Sequence, residues 1–213
     1  MTDRAISPII SAGIAAQRRR KIVNIGLYAV RLTQPLNAAE RSALARFLPP
    51  ERQARSKTPE ALCAYALLRH ALRSLYGWET LPQLSYGEHG KPCFASHPEV
   101  HFSLSHTRGA AMLAVHEQSV GADIERLRPV SETMRARFYA ESDEDFWRFW
   151  VQRESRCKRA GISAVALRGR EAPLTPDERV FAFTPFPDYT ASVAACSGAI
   201  VDKQICLTAQ ELM

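Results

Sequence analysis

Apolar positions recur at helical spacing in some stretches of this chain and at strand spacing in others, and Gly, Pro and capping residues mark the changes. Residues 22 to 32 (IVNIGLYAVRL) are rich in strand-forming side chains and predict a first strand. Asn37 is placed to cap a helix from Ala38 to Leu48, which Pro49-Pro50 ends. Leu62, Tyr65, Ala66, Leu68, Arg69 and Leu72 follow the period of a helix from Pro59 to Tyr76, stopped by Gly77. Tyr86 to Pro92 holds two glycines and a proline and reads as a loop. Val100 to Leu104 predicts a short strand, Ser105 to Gly109 a polar cluster, and Ala110 to His116 and Val120 to Glu125 two further strands. Ser131 to Phe138 predicts a short helix. Ser142 then caps a stronger one through Ala160, ended by Gly161. Residues 163–170, 178–184, 189–196 and 204–208 read as short strands separated by proline turns.

The order is strand, helices, strands, then strand, helices, strands. It predicts an α+β (α/β) fold of two α/β halves that meet near residue 118. The expected units are a subdomain over 21–118 and a second over 119–213, preceded by a poorly ordered tail over 1–20. The chain has 213 residues, 46% of them hydrophobic, which is enough for a core and excludes wholesale disorder. No uncharged apolar run approaches the ~20 residues that a membrane-crossing helix needs, so no membrane partner is expected. The basic run Arg18 to Lys21 follows the weakly apolar N-terminal stretch, the reverse of a secretory signal. Five scattered cysteines (63, 93, 157, 196 and 206) form no C-x-x-C pair and suit free thiols in a cytoplasmic location. With 28 Lys and Arg against 22 Asp and Glu the net charge is +6, which suits an acidic or phosphorylated partner but does not choose one.

Three clusters carry candidate chemistry. In Gly121-Ala122-Asp123-Ile124-Glu125, strand alternation puts Asp123 and Glu125 on one face and Ile124 on the other, toward a core. Two adjacent carboxylates suit a hard cation such as Mg²⁺, though a D-x-E alone equally fits a solvated strand end. In the second cluster Phe146, Phe149 and Trp150 form an apolar stripe. Glu154 and Lys158, four apart, share a helix face and could supply a third carboxylate and a phosphate-binding ammonium, or simply a surface ion pair. The third cluster, Arg52, Arg55, Lys91 and His106, is basic and discontinuous, with cations in or beside loops that suit phosphate. Together the clusters point to chemistry on a phosphorylated substrate. No Walker A or G-x-G-x-x-G motif occurs, so P-loop and Rossmann nucleotide enzymes are excluded by motif.

Four ordered motifs then carry a resemblance. Gly90-Lys91-Pro92 matches a G-K-P turn, and Phe102-Ser103-Leu104-Ser105-His106 resembles an F-N-L-S-H strand end. Gly121 to Glu125 matches G-x-D-I-E, and Phe149-Trp150 through Arg153-Glu154 to Lys158 resembles W-x-x-K-E-x-x-x-K. Over roughly residues 45–165 the chain resembles the Sfp-type 4′-phosphopantetheinyl transferases. The resemblance implies two similar α/β halves about a pseudo-twofold axis in a monomer, with coenzyme A between them. It implies Mg²⁺ on Asp123, Glu125 and Glu154, with Lys158 on the same phosphates and Glu154 as candidate base. It places Lys91, Ser105 and His106 at the nucleotide end, with Arg153 beside the phosphates and Arg52 and Arg55 toward the 3′-phosphate. The implied reaction moves the phosphopantetheine group from coenzyme A to a serine of an apo acyl or peptidyl carrier protein.

Two departures matter. Arg153 stands where the family usually has Lys, which keeps the charge but cannot release a proton at working pH. Ser103 stands where Asn is usual, so one hydrogen bond should differ. Two other readings remain at this point. One is a relative that binds coenzyme A or carrier without turnover. The other is a basic nucleic-acid-binding module, which would leave three carboxylates unexplained.

Overall fold

A computed structural model describes residues 24–53, 58–163, 176–201 and 204–213. The expected tail, Arg55 and the strand expected over 163–170 lie wholly or almost wholly outside those residues. The protein is a mixed α/β structure. Its first strand, β1 (Gly26–Arg31), leads to α1 (Ala38–Ala45) and a single turn of helix, α2 (Pro50–Gln53). The main helix of the first part, α3, spans Pro59–Tyr76 as its periodicity predicts. β2 (Leu84–Tyr86) and β3 (Pro92–Phe94) form a hairpin around the Gly-Lys-Pro turn. Then come β4 (His101–Thr107), β5 (Ala110–His116), β6 (Gly121–Arg126), α4 (Glu132–Arg137) and α5 (Asp143–Ala160). β7 (Glu178–Phe183), β8 (Tyr189–Cys196), β9 (Gln204–Leu207) and a 3₁₀ turn at Gln210–Leu212 complete the chain.

The helix ends follow from local chemistry. Asn37 and Glu40 cap α1 reciprocally, at 2.9 and 2.8 Å. Thr58 and Ser142 accept the orphan amides of Ala61 and Asp145 at the starts of α3 and α5. Gly161 ends α5 at φ 71°, a left-handed conformation that side chains resist. One boundary differs from expectation. α1 stops at Ala45 rather than Leu48, and Pro50 opens α2 instead of ending α1, because its missing N–H costs nothing in a first helical turn.

Two antiparallel-rich sheets pack face to face between the two long helices. The first has the order β4-β5-β1-β9, the second β6-β8-β7. Alternation on β1 and β5 divides the core. Tyr28, Val30, Ala111, Leu113 and Val115 face α3, with Leu67, Leu68 and Leu72. Leu27, Ala29, Ala110, Met112 and Ala114 face the second sheet, meeting Ala122, Ile124, Ala191 and Val193. Many of the second set are alanines, so the sheets approach closely. β9 runs parallel to β1, so the last strand of the chain belongs to the first sheet rather than to the half in which sequence order put it. That long-range pairing leaves no local sequence trace.

One edge of each sheet, β4 of the first and β6 of the second, is joined to the other by hydroxyls. β8 pairs with one edge of β6. At the other edge the amides of Ala122 and Ile124 donate to Ser103 Oγ (2.9 Å) and Ser105 Oγ (3.3 Å) of β4. Both serines are buried, so these amides have no water to fall back on. On the outer face of the second sheet, α5 lies so close to β6 that a Cβ on Gly121 would overlap the Ser155 carbonyl and the Arg159 amide. Ser155 Oγ and Ser192 Oγ share a hydrogen bond of 3.0 Å across the same contact.

Gly121→Ala should therefore destabilise the fold by about 3 kcal/mol or more, since backbone must move to admit one methyl group. Ser103→Ala, which orphans the Ala122 amide, should cost about 1–3 kcal/mol. Urea unfolding followed by circular dichroism measures both, and a Gly121→Ala midpoint equal to wild type would refute the close approach.

Candidate active site

The seam between the sheets positions an acid-lined cavity of about 340 Å³, walled by β4, β6 and α5. Alternation sends Asp123 and Glu125 of β6 to the face that α5 covers, as the sequence spacing predicts. One α5 turn presents Glu154 and Lys158, and Trp150 one turn earlier gives the cavity an aromatic wall. Ser105 and His106 line it from β4. Their strand runs on through Thr107, three residues past the expected end at Leu104, because β5 pairs with it that far.

Asp123 is the buried centre. Its Oδ1 accepts the Ser105 hydroxyl at 2.7 Å and the Lys158 ammonium at 2.6 Å. Its Oδ2 is buried and accepts no hydrogen bond. Ser105 thus has two tasks: it satisfies Ile124 N and orients Asp123. Glu125 is held by one oxygen, Oε2, which accepts Thr107 Oγ1 at 2.9 Å and Arg128 Nη1 at 3.0 Å. Arg128 is itself braced, with its guanidinium 3.8 Å from the centroid of the Trp147 ring and its carbonyl accepting Trp147 Nε1 at 2.9 Å. Thr107 and the Arg128–Trp147 brace escaped the sequence reading. The alternation of hydroxyls at 103, 105 and 107 was the available signal for the first. Trp147 is buried where the expected apolar stripe had Phe149.

Crowded charge shifts two titrating groups. Burial and the neighbouring Asp123 carboxylate raise the Glu154 pKa above the ordinary glutamate range, against the opposing pull of Lys158. Burial, then the Lys158 ammonium, lower that of His106, although three carboxylates oppose them. Asp123 Oδ2, with Glu125 and Glu154 nearby, offers the all-oxygen donor set that a hard divalent cation takes. The three carboxylates stand around the cavity rather than gathered. Among the described residues no three His, Cys, Asp or Glu side chains are grouped closely enough to hold an ion. The Lys158 ammonium supplies the countercharge to Asp123.

Three of the expected site residues lie elsewhere. Lys91 does not line the cavity. Its ammonium donates to the carbonyls of Val120 and Arg159, both at 3.1 Å, so it clasps the start of β6 to the end of α5. Burial, chiefly, and Arg159 lower its pKa to about 8. Arg52 donates to the Tyr86 hydroxyl at 3.2 Å and lies over that ring. Arg153 lies over Phe138, 5.5 Å from the ring centroid.

The chain is similar over part of its length to known proteins. No family model matches the chain. It is 26% identical over 156 residues to 4′-phosphopantetheinyl transferase Sfp of Bacillus subtilis, covering 63% of this chain and 70% of that protein. It is 36% identical over 119 residues to 4′-phosphopantetheinyl transferase AcpT of Escherichia coli K12, covering 48% of this chain and 58% of that protein. It is 28% identical over 167 residues to 4′-phosphopantetheinyl transferase HetI of a Nostoc species, covering 69% and 68%. The chain is thus similar, over part of its length, to 4′-phosphopantetheinyl transferases from three bacteria.

Proposed function

We propose that this protein transfers the 4′-phosphopantetheine group of coenzyme A to a serine of an apo acyl or peptidyl carrier protein, as a monomer built of two pseudo-twofold-related halves. The observation that carries the reading is the joint placement of Asp123, Glu125, Glu154 and Lys158 around one cavity. Three oxygen acids and one ammonium are the groups needed to hold and neutralise a diphosphate.

The serine oxygen forms a bond to the phosphorus that bears the pantetheine arm. The bond from that phosphorus to the bridging oxygen breaks, and its electron pair leaves with 3′,5′-ADP. Glu154 takes the serine proton, a role favoured by its raised pKa, since a stronger base accepts a proton more readily near neutral pH. Lys158, now on Asp123, is within the same cavity to donate to diphosphate oxygens where negative charge grows. Asp123, Glu125 and Glu154 would hold Mg²⁺, which when bound supplies Lewis-acid neutralisation of the diphosphate. Arg153, Lys91 and His106 belong to this reading as groups toward coenzyme A. So do Arg52 and, outside the described residues, Arg55.

Intact-mass analysis of apo carrier proteins incubated with this protein, Mg²⁺ and coenzyme A tests the activity. Gain of the phosphopantetheine mass is expected, and coenzyme A binding without gain on any carrier would overturn it. Glu154→Gln should lower kcat by about 10²–10⁴-fold while coenzyme A still binds. In the wild type, Glu154 must be deprotonated to act. Activity should therefore fall as pH falls through a pKa above the usual glutamate value, and that acid limb of kcat/KM should vanish in Glu154→Gln. Asp123→Asn should remove Mg²⁺-dependent transfer with the far-ultraviolet spectrum unchanged. Transfer at the wild-type rate would refute the site.

A further inference from the structure

One pattern holds both acids of β6. Each gives one carboxylate oxygen to a hydroxyl of β4 and to a cationic side chain, and keeps its other oxygen bare. For Asp123, Oδ1 accepts the Ser105 hydroxyl and the Lys158 ammonium, while Oδ2 accepts no hydrogen bond in a residue only 4% exposed. For Glu125, Oε2 accepts the Thr107 hydroxyl at 2.9 Å and Arg128 Nη1 at 3.0 Å, and among the described residues Oε1 accepts none. Ser105 and Thr107 stand two apart on β4, as Asp123 and Glu125 do on β6, so strand alternation matches hydroxyl to acid twice.

The hold on Glu125 is firm. Most surface ion pairs contribute little, because two long side chains lose their freedom in order to meet. Arg128 is restrained by other contacts as well. Its guanidinium lies 3.8 Å from the centroid of the Trp147 ring and donates to the Arg126 carbonyl at 3.1 Å, and the Arg128 carbonyl accepts Trp147 Nε1 at 2.9 Å. Trp147 is itself buried on α5, and Thr107 ends β4 paired with Ala110. The end of β4, the segment after β6 and the start of α5 thus fix one oxygen of an acid whose side chain is 19% exposed.

A carboxylate held in this way offers a cation one oxygen. Ca²⁺ takes roughly six to eight oxygens at about 2.3–2.6 Å and readily accepts both oxygens of a carboxylate, whereas Mg²⁺ takes an octahedron at about 2.0–2.1 Å and needs one from each acid. To use both oxygens of Glu125 a cation must strip Thr107 and Arg128 from Oε2 and leave a guanidinium without its acid. We propose that Thr107 and Arg128 are positioning residues that restrict Glu125 to one free oxygen and so make the site prefer Mg²⁺ to Ca²⁺. The proposal deepens the transferase reading and rests on its cation site, and it assigns selectivity to two residues that do not line the cavity.

The test reads cation binding by the full chain, with no carrier protein and no turnover. Free Mn²⁺ gives an electron paramagnetic resonance signal that falls on binding. Mg²⁺ or Ca²⁺ added in competition restores it, which measures the ratio of their dissociation constants. Thr107→Val with Arg128→Met, which removes both donors to Oε2, should move that ratio about tenfold toward Ca²⁺. Thr107→Val alone changes no charge and should move it the same way by a smaller factor. Thr107→Ser keeps the hydroxyl and should keep the wild-type ratio. Equal gains for both cations in the double variant would mean that Arg128 acts through its charge alone, and would overturn the proposal. A shift in Thr107→Ser as large as in Thr107→Val would overturn it too, as would a wild type that binds none of the three cations. If the ratio shifts while wild type modifies no carrier, the selectivity stands and the transferase reading falls. If wild type modifies carriers and the ratio stays fixed, the selectivity alone falls.

Discussion

The structure depends on how two sheets meet at an edge without merging into one. Backbone amides at a buried strand edge need partners, and a continuous ladder between β4 and β6 would have joined the sheets. Hydroxyls of Ser103 and Ser105 accept the two β6 amides instead. A hydroxyl takes up more room than a direct ladder contact and leaves the sheets free to stack face to face, with alanines between them. It also brings the end of β4 against β6, where one serine reaches the Asp123 carboxylate. The same seam therefore closes the core and builds the site. Ser103 performs its part of this with a single short acceptor.

The acid-lined cavity shows how a cluster of facing acids is accommodated in a folded chain. Carboxylates that face one another repel, and burial adds the cost of lost hydration. Each acid here is managed differently. Asp123 is neutralised by Lys158. Glu125 is restrained by Thr107 and by Arg128, whose own position is set by Trp147. Glu154 responds to its surroundings by holding its proton more tightly. One buried oxygen, Asp123 Oδ2, remains without a hydrogen bond. An unsatisfied acceptor of this kind is costly in a folded protein.

The second sheet is held from behind by α5, and the contact explains why small residues cluster there. Gly121 and Ser192 let the helix backbone approach, and Arg156 and Arg159 pair with Glu178 of β7 at the helix's far end. Lys91, on a hairpin of the first part, adds a clasp from outside by binding carbonyls of both β6's approach and α5's end. Glu154 and Lys158 are thereby held at a set height above Asp123 and Glu125.

Much of this was legible in the sequence because it is local. Caps at Asn37 and Ser142, stops at Gly77 and Gly161, and the 3.6-residue period of α3 and α5 depend on residues a few positions apart. The same holds for the shared face of Asp123 and Glu125 and for the four-residue step from Glu154 to Lys158. What the sequence could not contain was which edges meet. That β9 returns to pair with β1, that Lys91 spends its ammonium on Val120 and Arg159, and that Arg52 and Arg153 turn to aromatic rings are outcomes of contacts between distant segments. Side-chain types and their spacing along one element are determined by the sequence itself. The partner that a buried amide or charge finally takes is decided by tertiary packing, because only packing determines which groups are removed from water together.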